Sequence, residues 1–415
     1  MKFNDYHLAP EIIKGIETQG FKRPTDIQYK SIPPILRGED VLAVAQTGTG
    51  KTAAFAVPIL HLLHLSKQAS FRPDGVKAIV LAPTHELALQ ITEVFKTLGR
   101  FTKLRVLGLI GGVEQDPQIE ELEKRVDILI ATPGRMFDLI SQGYLKVHRV
   151  EILVLDEADH MLDLGFLGDI HDLIRKLPRR RQTLFFSATI NQKIKKLAYS
   201  IIHQNAIRIQ ISPKDPVSKN VEHAVAFIEM DDKRFFLERI FHDNPESKIL
   251  VFVRTKVRAE RVCKAMERAD IESRTIHSDK EQSERTKVLK QFKNGTVKML
   301  IATDVTARGI HIPNIDLVIN YDLPDQAENY VHRVGRTGRG TQKGQAISFC
   351  STEEQPMLEK IEEFVTKEIV RLQVTEKDRL DTRFFSEDKD KDWKKVMGEI
   401  DELEKGWKKR KKKKR

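Results

Sequence analysis

The chain has 415 residues, of which 40% are hydrophobic, and a single core rarely grows past roughly 250–300 residues, so at least two domains are expected. Lys and Arg total 71 against 60 Asp and Glu, a formal +11, yet the last eight residues, Lys408 to Arg415, are all basic and the rest balances at 63 against 60. The body is therefore not uniformly basic. The two cysteines, Cys263 and Cys350, form no CxxC, which argues against a cysteine metal site or a disulfide framework, and no run of about 18 apolar residues exists to form a membrane span.

A reducing, cytoplasmic setting is expected, since the opening MKFNDYHLAPEII also lacks the apolar stretch of a signal peptide. The terminal basic run suits a polyanion such as RNA, a solubilising role, or nuclear targeting in a eukaryotic cell.

Short runs rich in Val, Ile and Leu alternate with longer amphipathic stretches. In the first half they are 41–45, 78–82, 127–131, 151–155 and 183–186; in the second, 248–253, 297–302, 316–320 and 345–349. Continuous apolar strands between helices predict parallel sheets with both faces covered. The pattern occurs once in residues 1–210 and again in 221–365, with a polar, Pro-containing linker over 211–220. Residues 366–415 are charge-dense and are expected to be a flexible extension with a basic tail.

The first chemical signal is Ala45-Gln46-Thr47-Gly48-Thr49-Gly50-Lys51-Thr52, between an apolar strand and a helical stretch. Glycines at this spacing let the backbone curl so that N–H groups face phosphate oxygens. Lys51 can neutralise the β- and γ-phosphates, and the Thr52 hydroxyl can ligate Mg²⁺. The strict phosphate-loop pattern begins with Gly where this chain has Ala45. The second signal, Asp156-Glu157-Ala158-Asp159, ends another apolar strand. Asp156 is placed to hold Mg²⁺, and Glu157 to polarise an attacking water.

Asp156-Glu157-Ala158-Asp159 resembles the signature of the DEAD-box RNA helicases, and the resemblance covers the chain from about Phe3 to Phe349. It implies two tandem RecA-like (P-loop NTPase-type) α/β domains and an RNA-dependent ATPase using ATP and Mg²⁺. The segment from Gly20 to Gln28 is similar to the family's adenine-reading element. A Gln28 amide can bond adenine bidentately, and Phe21 can stack on the ring. Pro83-Thr84-His85-Glu86-Leu87-Ala88, Gly111-Gly112 and Thr132-Pro133-Gly134-Arg135 match RNA-facing elements, which implies RNA contacts at Pro83, Thr84, Gly112, Thr132, Gly134 and Arg135. Small residues and hydroxyls there let backbone N–H groups approach phosphates. The family usually has Arg where this chain has His85. Ser187-Ala188-Thr189 matches the element that couples hydrolysis to remodelling, together with Asp159.

In the second half, the segments starting at Val251 and at His277 match further elements, which implies RNA or domain contacts at Gln282 and Arg285. The segment 302–310 places Thr303 and Asp304 near RNA and the domain seam. The family continues with an Asp on the ATP ribose; here it is His311. His332-Arg333-Val334-Gly335-Arg336-Thr337-Gly338-Arg339 is the most specific run. By resemblance Arg336 and Arg339 are arginine fingers, with His332 in the coupling set. The opening Phe3–Tyr6 and the short extension look most like the bacterial RhlE-type subgroup, which implies ribosomal-precursor or RNA-decay complexes. A monomer is expected. Two rivals stay open: an ATP-independent RNA scaffold, favoured by His85 and His311, and a DNA translocase.

Overall fold

The computed structural model describes residues 2–46, 48–69, 75–203, 205–211, 217, 220–304, 312, 315–338 and 343–387. The chain forms two compact units that part between Lys214 and Asp215, inside the expected linker.

The first unit is a seven-stranded, all-parallel sheet. Its strands are β1 (Val41–Val44), β2 (Ala78–Leu81), β3 (Val106–Leu109), β4 (Ile128–Ala131), β5 (Ile152–Leu155), β6 (Gln182–Ser187) and β7 (Ile207–Gln210). They lie in the order β3-β4-β2-β5-β6-β1-β7. Alternate residues of each inner strand enter different cores. Val41, Ala43, Val80, Ile130, Val154 and Phe186 face one, whereas Leu42, Ile79, Leu129, Leu153 and Phe185 face the other. Both faces are covered by helices, so strand residues on both faces must be apolar. Phe55, on the helix Lys51–Ala69, packs 5.2 Å from Phe186 by ring centroid and anchors that helix under the sheet.

The second unit repeats the plan with β8 (Val221–Phe227), β9 (Ile249–Phe252), β10 (Ser273–Ile276), β11 (Met299–Ala302), β12 (Leu317–Asn320), β13 (Gly344–Cys350) and β14 (Val370–Leu372), ordered β10-β11-β9-β12-β13-β8-β14. All described ladders are parallel here too. The two α/β units are thus those the sequence predicts.

The C-terminal boundary needs correction. The second unit does not stop at residue 365: β14 pairs with β8, and the helix Glu376–Glu387 follows it. That helix is tied back by Arg239, which donates to the Thr382 hydroxyl at 2.9 Å, and by Arg379, which donates to the Phe227 carbonyl at 3.3 Å. The charge density of this stretch reflects a sheet edge and a solvent-facing helix. The basic run from Lys408 lies outside the described residues. No helix among the described residues is long and apolar enough to cross a membrane.

Candidate active site

Because every strand of a unit runs the same way, the segments after the strands gather at one rim of each sheet, where open α/β sheets hold ligands. In the first unit the segments predicted to hold ATP follow β1 and β5. Those predicted to touch RNA follow β2, β3 and β4, on the other half of the sheet. The predicted coupling segment follows β6, beside β5.

The phosphate loop leaves β1 through Ala45 and ends at Lys51, the first residue of its helix. Gly48 and Gly50 have φ of +81° and +91°, which a side chain would strain. Lys51 is buried and donates to the Ala45 carbonyl at 2.9 Å, bending back over its own loop. Thr49 closes the turn by donating to the Gln46 carbonyl at 2.8 Å. Thr52 is half-buried one residue on. Thr47 lies outside the described residues.

Gln28 holds this loop from the side. It is the third residue of the helix Asp26–Leu36, whose cap Thr25 forms a capping box with it. Its Oε1 accepts from Thr25 N at 3.0 Å, and its Nε2 donates to the Gly50 carbonyl at 3.1 Å. Thr25 in turn donates to the Thr49 carbonyl at 2.8 Å. The amide therefore already bridges its helix and the loop, and one N–H and one lone pair remain for a base. Phe21 is partly exposed and stacks on Phe3 with ring centroids 6.5 Å apart. The opening segment thus backs the predicted stacking face.

Asp156 ends β5 and is 2% exposed. Burial pushes its carboxyl up from 3.8 to about 7, with Lys51 pulling the other way and Glu157 and Asp159 adding to the rise. Glu157 is also buried and takes the left-handed backbone (φ 49°, ψ 50°) as it caps the helix Ala158–Asp163. Its N–H donates to Asp156 Oδ1 at 3.0 Å. Asp159 Oδ2 accepts from both the backbone N–H and the hydroxyl of Thr189, at 3.0 and 3.1 Å. Ser187, fully buried, donates to the Thr189 carbonyl at 2.8 Å. Of the expected coupling residues, Asp159, Ser187 and Thr189 are therefore bonded to one another across β5 and β6.

Two of the predicted RNA elements of this unit, at Thr84 and at Thr132, sit on helix N-termini, where backbone N–H groups can meet anions. Thr84 caps the helix His85–Leu98, accepting from Leu87 N at 3.3 Å. Thr132 is the cap of Pro133–Ser141, and Gly134 in its first turn is exposed with open space around it. Gly112 is exposed with φ +69°. Arg135 donates to the Val113 carbonyl at 2.7 Å, tying that loop to the Thr132 turn. Pro83 is buried just after β2.

In the second unit Thr303 and Asp304 follow β11, Gln282 opens the helix Gln282–Lys293, and Arg285 lies one turn further. The His332 run begins in the helix Ala327–Val334. Arg336 is buried, and its Nε donates to the His332 carbonyl at 3.2 Å. His311 and Arg339 lie outside the described residues. Arg333, the first of the three arginines of this run, which together could form an anion clamp, is the residue that organises this end of the unit. It is 1% exposed and bonds Asp304 with two nitrogens. Its place in the Arg-rich run was the available signal.

Residues 25–197 match the family model "DEAD/DEAH box helicase", and residues 232–341 match "Helicase conserved C-terminal domain". The chain is 40% identical over 372 residues to the ATP-dependent RNA helicase RhlB of Shewanella frigidimarina, covering 89% of this chain and 85% of that one. It is 38% identical to the ATP-dependent RNA helicase DbpA of Bacillus subtilis, covering 89% and 76%. Among solved structures it resembles S. cerevisiae Dbp5 bound to RNA and ADP BeF3. There the TM-score is 0.81 at 31% identity, over 92% of this chain and 99% of that one.

Proposed function

The chain belongs to the DEAD-box family of ATP-dependent RNA helicases, and we propose that it uses ATP to clamp and bend RNA so that short duplexes separate locally. The observation that carries this reading is the division of the first sheet's rim. The phosphate loop and Asp156 occupy one half, the RNA elements the other, and the Asp159–Thr189 bonds tie the segment after β5 to the one after β6 between the phosphate loop and the RNA half.

In this reading Gln28 and Phe21 hold adenine, while Gln46 through Thr52, with Thr47 among them, wrap the phosphates. Lys51 leaves the Ala45 carbonyl for the β- and γ-phosphates. Asp156 and Thr52 would hold Mg²⁺, and the fit is electrostatic. Asp156 is buried and the carboxylates of Glu157 and Asp159 act on it, so a cation there would offset both desolvation and repulsion. Mg²⁺ needs only one or two protein ligands beside phosphates and water. Bound there, the ion would neutralise charge on the transferred phosphoryl group. Glu157 orients the attacking water. Arg336 and Arg339 reach the γ-phosphate when the units close on RNA, with Asp304 and His332 in the coupling set and His311 at the ribose. RNA contacts from Thr84, Gly112, Thr132, Gly134, Arg135, Gln282, Arg285 and Thr303 go to the backbone and 2′-hydroxyls, giving little sequence preference.

The opening Phe3–Tyr6 supports placement in the RhlE-type subgroup. With it go a cytoplasmic monomer and work on ribosomal precursors or decaying RNA. The test is ATP hydrolysis with RNA, with single-stranded DNA and with neither. RNA-specific stimulation, abolished in Glu157→Gln with RNA binding kept, is expected. Equal stimulation by DNA, or hydrolysis undiminished in Glu157→Gln, overturns the reading.

A further inference from the structure

We propose that His160 is a positioning residue for Glu157, its imidazole fixing the carboxylate that orients the attacking water. The proposal rests on the role given to Glu157 above. His160 lies three residues after Glu157, within the helix that Glu157 caps. It is 3% exposed, and neither ring nitrogen has a hydrogen-bond partner although both are buried. Its Nδ1 stands 3.6 Å from Glu157 Oε2.

A buried imidazole with no partner is costly, because at least one nitrogen must carry a proton and lose its bond to water. A partner met only in the working state would account for such a group. The geometry names the partner. Of the three carboxylates in this segment, Asp156 takes the Glu157 N–H and Asp159 takes Thr189. Glu157 is the carboxylate that His160 faces. A separation of 3.6 Å is beyond a hydrogen bond, but a small side-chain rotation closes it, and catalytic hydrogen bonds are often long before substrate binds.

The left-handed backbone at Glu157 aims its Cα–Cβ bond in a direction few residues adopt. An Nδ1–H donated to Oε2 would then hold the last two torsions, leaving Oε1 for the water. This tautomer leaves Nε2 without a proton and so without a donor to satisfy. The bond forms and breaks without transferring a proton, and His160 touches no substrate atom.

The test uses the full chain, with single-turnover and steady-state ATP hydrolysis on saturating RNA. His160→Phe keeps the ring and removes the donor. His160→Asn places an amide nitrogen near the Nδ1 position. His160→Phe is expected to lower kcat on the order of tenfold, a part of the roughly 10²–10⁴ that a positioned base supplies. KM for ATP should stay within about twofold, and His160→Asn should recover most of the rate. In the Glu157→Gln background, read on the residual single-turnover rate, His160→Phe should cost nothing further. An unchanged kcat in His160→Phe, an Asn variant no better than Phe, or losses that multiply in the double variant each overturn the proposal. If Glu157→Gln itself hydrolyses normally, the base assignment fails instead, which is a distinct result. Should His160→Phe not fold, His160→Asn against His160→Gln decides, since Gln places its amide near Nε2. Asn must outperform Gln for the proposal to stand.

Discussion

Arg333 donates from Nε and Nη2 to both carboxylate oxygens of Asp304, at 2.5 and 2.7 Å, while its Nη1 donates to the Asp322 carbonyl at 2.6 Å. Its guanidinium also lies 5.1 Å over the Phe252 ring. One buried side chain thus ties the ends of β9, β11 and β12 together and fixes the helix that leads to Arg336. A planar fork suits this and an ammonium does not. Arg333→Lys should destabilise the second unit by about 1–3 kcal/mol, since the ammonium keeps the charge but loses the fork and leaves buried acceptors unpaired. RNA-stimulated hydrolysis should fall with it. A thermal unfolding midpoint unchanged in Arg333→Lys would show that the pair does not hold this end of the sheet.

The phosphate loop should distinguish its two glycines. A Cβ on Gly50 would lie 2.5 Å from Gln28 Nε2, at φ +91°, whereas a Cβ on Gly48, at φ +81°, would meet nothing within 4 Å. Both alanines carry the left-handed strain of about 1–2 kcal/mol, but only Gly50→Ala also pushes Gln28 off the loop. Gly50→Ala should raise KM for ATP at least tenfold above Gly48→Ala. Equal effects would mean that the Gln28 bridge to Gly50 is dispensable.

Much of this was legible in the sequence, and the exceptions share a cause. The strands read correctly as apolar runs, such as 41–45, 78–82 and 248–253, are inner strands, or β13 near the middle, buried on both faces. The strands that went unread are β3, β7, β8, β10 and β14. Four of these are sheet edges, and β8 lies next to one. Ser273–Ile276 and Val370–Leu372 carry polar or exposed residues because an edge strand has less to cover it. The site was legible where motif residues reach the rim directly, as at Lys51 and Asp156. Gln28 was legible only in part, since its tie to Gly50 depends on how the helix Asp26–Leu36 packs against the loop. Arg333 and His160 were legible only as neighbours of motif residues, because their burial and their contacts with Asp304 and Glu157 are set by the fold.

Asp156 should make the unliganded first unit pH-sensitive. Its carboxyl is raised by burial to about 7, so the folded state holds this proton more tightly than the unfolded chain, whose value is near 3.8. The penalty is absent below about pH 4, grows as pH rises, and is complete above about pH 7. Asp156→Asn keeps an oxygen for the Glu157 N–H but carries no charge. It should therefore stabilise the unit at pH 8, by up to roughly 4 kcal/mol, the attraction to Lys51 being already counted in the raised value. The gain should shrink to nothing near pH 4, while hydrolysis is abolished throughout. Chemical denaturation at pH 8 and pH 4.5 checks this, and a gain of equal size at both would remove the charge as its cause.

The segment after residue 365 should prove structural at its start. Truncation after Thr366 would strip β14 from β8 and expose that strand's backbone N–H and C=O groups. It would also remove the Arg379 bond to Phe227 and the Thr382 partner of Arg239. Each lost hydrogen bond is worth about 1 kcal/mol, and an open strand edge invites pairing between chains. The shortened chain should therefore unfold earlier, by several degrees in its second unit, and aggregate at lower concentration. Truncation after Glu387 removes only the part beyond the Glu376–Glu387 helix, including the basic run. It should leave the midpoint unchanged and flatten the salt dependence of RNA binding, since fewer cations then displace counterions. If both truncations melt alike at the full-length temperature, β14 and its helix contribute nothing to the unit's stability.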